Sequence, residues 1–402
     1  MTVHGSCDQK FAQVRQEFER NFRERGEVGA SVCVTVRGET VVDLWGGMAR
    51  PDTQTPWTAE TVSLVFSSTK GATALCAHIL ASRGRLDLDA PVATYWPEFA
   101  QAGKSEIPVT MILNHQAGLP AVRTPLPQGA YANWDLMVNA LAKEEPFWEP
   151  GTRNGYHALT IGWLVGEVVR RVSGKSLGTF FQNEVAKPLG LDFWIGLPED
   201  KEPRVAPMIA AAPDQESVLY RELTTPGSLA SLAILNSGGY MGAQPEYDLR
   251  AAHAAEIGGA GGITNARGLA GMYAPLACGG KLKGVQLVTP AVLARMALVS
   301  SATGRDAVLV MPSRFALGFM KSMDNRRGRA GARDSAIISA DAFGHVGAGG
   351  SFGFADPRAE MSFGYTMNRM GAGMLLTDRG QSLVDATYRA LGYQSNASGV
   401  WQ

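Results

Sequence analysis

β-Branched, strand-like runs lie near both ends of this chain, and a long helix-rich stretch separates them. This distribution constrains the fold more than any single motif, because one sheet assembled from both termini accommodates it, with a helical region inserted between. Ala30 to Val36 and Thr40 to Trp45 form a hairpin pattern through Arg37-Gly38-Glu39. In the C-terminal quarter, Phe315 to Met320, Ala342 to Val346, Ser351 to Ala355 and Met361 to Met367 read as short strands, the last two joined through Asp356-Pro357-Arg358. Phe11, Val14, Phe18 and Phe22, spaced by three and four, predict an amphipathic helix before the first hairpin, and a helix from Asp378 to Leu391 closes the chain. The middle carries an apolar helix from Leu159 to Val172, a polar surface excursion from Pro198 to Gln215, and Gly258 to Gly262 leading into a helix through Ala277.

Composition excludes several function classes. With 402 residues, 45% apolar and 18% charged, the chain is long enough for a large core, and for two packed regions sharing it. Lys+Arg and Asp+Glu are both 37, so there is no basic excess for a nucleic-acid or acidic-membrane partner. Arg326 to Arg333, short and glycine-spaced, reads as a mobile loop. No export signal and no apolar run of membrane-spanning length is evident, so a cytoplasmic protein with no membrane partner is expected. The four cysteines are scattered, the six histidines lack a close paired spacing, and neither glycine cluster has a dinucleotide-binding context. No metal and no cofactor is expected.

Chemistry concentrates at Ser67 and Lys70, the chain's only Ser-x-x-Lys. They fall where a helix begins after the apolar segment from Val62 to Phe66, and side chains at i and i+3 share a face. A serine hydroxyl becomes a nucleophile when a base takes its proton, and a lysine kept neutral by burial and a helix N-terminus can be that base. The alternative is a helix-capping serine followed by a solvated lysine. Tyr156, delivered by the turn Pro150 to Gly155 just before an apolar helix, can share the proton or can be a buried structural tyrosine. In Phe343-Gly344-His345-Val346-Gly347-Ala348-Gly349-Gly350, the glycines let backbone approach a ligand, and the amides of Ala348 and Ser67 can hold an oxyanion. A Gly-rich edge strand with an incidental histidine is the competing reading. Leu113 to Pro120 reads as a capped turn that frames the site. Gly349-Gly350-Ser351-Phe352-Gly353 matches a Gly-x-Ser-x-Gly pattern, but strand-like residues follow it and no histidine lies downstream of 345, so Ser351 is set aside as nucleophile.

Taken in order, Ser67-x-x-Lys70, Tyr156 and His345-Val346-Gly347 resemble the three motifs of the serine β-lactamase/penicillin-binding superfamily. More narrowly they resemble the family VIII carboxylesterases, relatives of class C β-lactamases. Leu113 to Pro120, Trp148 to Thr152, Lys187 to Leu191 and Gly353 to Pro357 look like the same group, so the resemblance covers roughly residues 10 to 395. It implies an α+β, β-lactamase-like fold: an antiparallel sheet flanked by helices, an inserted helical domain, and the site in the cleft between them. Residues 1–90 and 285–402 would form the discontinuous α/β domain and 91–284 the helical one.

Two departures carry information. Ala158 stands where relatives usually have asparagine, and His345-Val346-Gly347 replaces lysine-threonine-glycine; a neutral histidine weakens anion recognition and favours a neutral ester. The resemblance implies a serine hydrolase of short-chain carboxylic esters, a small-molecule partner, with Ser67 as nucleophile and Lys70 and Tyr156 as acid/base. Ser67 and Ala348 would supply the oxyanion hole, and His345 and Gly347 would contact substrate, with weak β-lactam opening as an accompaniment. The alternatives are a β-lactamase, a D-amino-acid amidase or peptidase, an acyltransferase for bulky acyl groups, or a catalytically silent ligand-binding protein. Tyr131, Trp134, Phe147 and Trp148 are candidate acyl-pocket walls, with ordinary core as the competing reading.

Overall fold

The computed structural model describes residues 2–212, 214–328 and 334–402. Alternation of small and β-branched residues along Gly29–Val36 (β2) buries both of its faces. Ala30, Val32 and Val34 join a core with Phe11, Val14 and Phe18, while Cys33 faces Ala266 and Ala270. Val3–Cys7 (β1) and Glu39–Arg50 (β3) complete the N-terminal part, and Phe343–Val346 (β4), Phe352–Asp356 (β5) and Met361–Met367 (β6) the C-terminal part. The strands run β1-β3-β2-β6-β5-β4, all antiparallel, with Thr55–Pro56 beside β3. The two termini therefore meet in the middle of one sheet. At that seam Val34 pairs with Phe363, and buried hydroxyl pairs Ser31–Thr366 (2.9 Å) and Thr35–Ser362 (2.7 Å) add register-specific bonds between β2 and β6.

Ala12–Glu24 (α1) and Asp378–Ala390 (α5) cover one face of this sheet, and Ala266–Ala277 (α4) packs on the other. A second core gathers around Thr69–Ser82 (α2) and Thr160–Ser173 (α3), which pack together through residues such as Leu75, Ile79, Leu164 and Val168. No helix among the described residues is long and apolar enough to cross a membrane.

Several local expectations change. The run Phe315 to Met320 is not one strand: Ser313–Phe315 pairs with Ser301–Thr303, and the chain then turns through Gly318 at φ +86°, where a Cβ would sit 2.2 Å from that of Ala74. β1 has no alternating apolar pattern and gave no signal, because it is a mostly exposed edge strand. A small sheet of Phe193–Ile195, Gly262–Thr264, Val62–Leu64 and Val205–Ala206 also went unanticipated. Its last strand lies inside the stretch read as a surface excursion, yet Val205 and Ala206 are buried. Of the arginine-rich run Arg326 to Arg333, residues 329–333 lie outside the described residues.

Candidate active site

Ser67 occupies the turn that links Val62–Leu64 to α2, two residues before the first helical residue, Thr69. The turn is strained and tightly held. Phe66 has φ +40°, a conformation that costs a bulky residue about 1–3 kcal/mol and persists only where surroundings enforce it. Those surroundings are polar bonds from neighbouring side chains. Thr69 Oγ1 donates to the Phe66 carbonyl (2.5 Å) and accepts from the Gly262 amide (2.7 Å). Ser68 Oγ donates to the His345 carbonyl (3.0 Å). Ser351 Oγ, fully buried, donates to the Val65 carbonyl (2.9 Å) and is followed by β5 rather than a helix. Ser351 thus ties the start of β5 to the Ser67 turn.

Lys70 is fully buried on the first turn of α2, and burial lowers its pKa well below the ordinary 10.5. Its Nζ donates to the carbonyls of Ala158 (2.6 Å) and Gly259 (2.7 Å) and lies 2.9 Å from Ser67 Oγ. A neutral amine has two N–H donors and one lone pair. The two carbonyls use the donors, so the lone pair is left for the Ser67 hydroxyl. The position where relatives carry asparagine thus contributes through its backbone, which is why the residue type at 158 said little about the lysine's environment.

Tyr156 is buried, with Lys70 Nζ 4.7 Å from its ring centroid. Burial pushes its phenol pKa up, a hydrogen bond with Ser67 opposes this, and the charge of Asp306 adds to the rise. It therefore rests as a neutral phenol. The ring is wedged among His115 (4.9 Å), Phe315 (5.8 Å) and His345 (6.1 Å). His115, at φ +67°, accepts the His157 amide on Nδ1 (3.1 Å), so Leu113 to Pro120 frames the site.

His345 is buried, and its pKa is pushed down to about 3, first by burial and then by Lys70. Its Nδ1 donates to the Val346 carbonyl (2.7 Å), leaving Nε2 without a hydrogen-bond partner among the described residues. It supplies no positive charge. Gly347 brings β4 against the Ser67 turn, because a Cβ there would lie 2.1 Å from the Val65 carbonyl and 2.3 Å from Ser351 Oγ. The space expected for a ligand at this glycine is filled by protein. The amides of Ser67 and Ala348 donate to no other group among the described residues. Ser67, Tyr156 and Ala348 face one narrow cavity of about 10 Å³, lined also by Leu309, Met320, Val346, Met374 and Leu375. Among the described residues no charged side chain lines it.

The four candidate aromatics stand elsewhere. Tyr131 donates to Glu246 (2.7 Å), Trp134 donates to Glu167 (2.9 Å), Phe147 stacks under Arg123 (3.8 Å), and Trp148 packs on His157 (6.2 Å). Of the aliphatic residues that do form the wall, Leu309, Met374 and Leu375 come from segments without a motif, so sequence patterning held no signal for them. Among the described residues, no group of three or more His, Cys, Asp or Glu is arranged to hold a metal ion.

The profile of the β-lactamase family matches residues 15–387. The Esterase/beta-lactamase LipL of Mycobacterium tuberculosis is 33% identical over 398 residues, covering 94% of this chain and 85% of its own length. A crystal structure of a family VIII carboxylesterase superposes with a TM-score of 0.84 at 39% identity, covering 97% of this chain and 100% of that one. A penicillin-binding protein homologue from Caulobacter crescentus superposes with a TM-score of 0.83 at 35% identity, over the same shares.

Proposed function

Because the chain belongs to the β-lactamase family, we propose that it is a carboxylesterase that cleaves neutral, short-chain esters through an acyl-enzyme on Ser67. The observation that carries this reading is the Lys70 amine, desolvated, with both donors occupied by carbonyls and its remaining valence 2.9 Å from Ser67 Oγ. Lys70 takes the hydroxyl proton as Ser67 Oγ bonds to the ester carbonyl carbon. The amides of Ser67 and Ala348 hold the oxyanion, a contribution of about 10²–10³-fold per donor in such sites. The phenol of Tyr156 gives its proton to the departing alkoxide and regains one from Lys70. Water then attacks the acyl carbon, its proton passing to the same pair, and the acid leaves as Ser67 Oγ recovers a proton. The same proposal places the enzyme in the cytoplasm, acting on a small-molecule ester without cofactor, metal, nucleic-acid or membrane partner.

β-Lactam opening is the second reading, favoured by the names of LipL and the penicillin-binding homologue. The uncharged cavity and neutral His345 offer a β-lactam carboxylate no cation, so we place that activity well below ester hydrolysis. Assaying p-nitrophenyl acetate and butyrate beside nitrocefin, with Ser67→Ala as control, decides between them. Fast ester turnover, slow or absent nitrocefin opening, and loss of both in the mutant by about 10⁴-fold or more is the expected result. Nitrocefin turnover equal to the esters would make β-lactamase the better name.

A further inference from the structure

Asp306 lies 150 residues from Tyr156 in sequence and is fully buried. Its Oδ1 accepts the amide of Tyr156 at 2.9 Å, and the same oxygen accepts the amides of Val308 (2.9 Å) and Leu309 (3.0 Å). Its Oδ2 accepts Ser313 Oγ at 3.0 Å. The Ala307 amide donates to the Asn154 carbonyl at 2.9 Å, a second clamp between the same two segments. The loop so held is closed on itself. The Asp306 amide donates to Met311 and the Val310 amide to Asp306, and Val310 takes φ +55°, an outlier for a β-branched residue. Strain of that kind survives where surrounding bonds over-determine the backbone. Leu309, on this loop, and Tyr156, at the other end of the clamp, both face the cavity beside Ser67.

We propose that Asp306 is a positioning residue that fixes the Tyr156 main chain and the Leu309 wall from one buried carboxylate, so that it governs which acyl groups are turned over as well as how fast. The inference rests on the reading of Ser67 and Tyr156 above. A carboxylate suits the task because it accepts several bonds at once, each strengthened by its charge and by the low dielectric around it. A misplacement of about 1 Å in a reacting group can lower turnover about 10²-fold, and a loosened wall admits longer chains.

The test uses the full chain and its Asp306→Asn, Asp306→Ala, Leu309→Ala and Ser67→Ala variants, with kcat and KM for p-nitrophenyl acetate, butyrate and hexanoate and a thermal midpoint for each. Asp306→Asn keeps an oxygen for the three amides and is the variant that retains the fold. It is expected to lower kcat about tenfold with KM changed less, and to raise the hexanoate-to-acetate ratio of kcat/KM about threefold, in the direction that Leu309→Ala also moves it. Asp306→Ala is expected to move both quantities further, with kcat down about 10²-fold. Wild-type kcat and an unchanged chain-length ratio in Asp306→Asn would overturn the inference. So would losses equal for all three esters that follow only the fall in thermal midpoint. Activity retained in Ser67→Ala would instead overturn the underlying reading, independently of Asp306.

Discussion

At the scale of single residues, the pH response follows from how burial treats each group. Lys70 accepts the Ser67 proton only when neutral. Its pKa is lowered by burial, so the neutral form persists well below the ordinary 10.5 and is lost only as acid protonates it. A profile of kcat/KM against pH should therefore fall in one limb toward acid, with its midpoint well below 10.5. His345 titrates at about 3 rather than the usual 6.5, so no second limb near 6.5 should mark it; such a limb, abolished in His345→Gln, would mean that the histidine charges during turnover. Lys70→Met removes the base, and its turnover is expected to fall about as far as that of Ser67→Ala, because members of one proton-transfer unit act together.

At the scale of elements, the site depends on β4 lying against the turn before α2. Gly347→Ala would place a methyl 2.1 Å from the Val65 carbonyl and drive the segment carrying Ala348 away from Ser67. A fall in kcat/KM of about 10²-fold with a loss of about 1–3 kcal/mol by urea denaturation is expected, and unchanged ester kinetics would show that this contact does not set the oxyanion geometry. How much of this was legible beforehand also sorts by element. Ser67 and Lys70 follow an apolar lead-in at the start of α2, and Tyr156 stands in the turn before α3. Spacing left each with a structural alternative, and only their order, resembling the three motifs of a known family, singled them out. β-Branched and aromatic runs marked β2, β5 and β6. Asp306, Leu309, Met374 and Leu375 lie on irregular loops whose shape comes from hydrogen bonds distant in sequence, such as that from the Tyr156 amide to Asp306. The carbonyls of Ala158 and Gly259 act through backbone, which side-chain pattern does not report.

At the scale of the molecule, the two halves of the sheet come from opposite ends of the chain and are joined along β2 and β6. One buried ion pair bridges the same division: Arg379 of α5 donates to Glu27 at 2.7 Å, Tyr365 of β6 donates to the other carboxylate oxygen, and Arg379 is 5% and Glu27 0% exposed at the side chain. Arg379→Met leaves the carboxylate uncompensated, and a loss of about 3–5 kcal/mol on denaturation is expected, with the chain-length preference of the folded enzyme unaltered. For the domain division we propose a sheet domain near residues 1–90 and 285–402 and a helical domain near 91–284, with α4 counted with the sheet on which it packs. The cavity then lies where Ser67 and Tyr156 meet Ala348 of the segment leaving β4. The most direct measurement is mass spectrometry of the protein quenched during turnover of p-nitrophenyl butyrate, with peptide mapping. One butyryl group on Ser67, absent from Ser67→Ala, is the expected result, whereas a butyryl group on Ser351 or turnover persisting in Ser67→Ala would contradict an acyl-enzyme on Ser67.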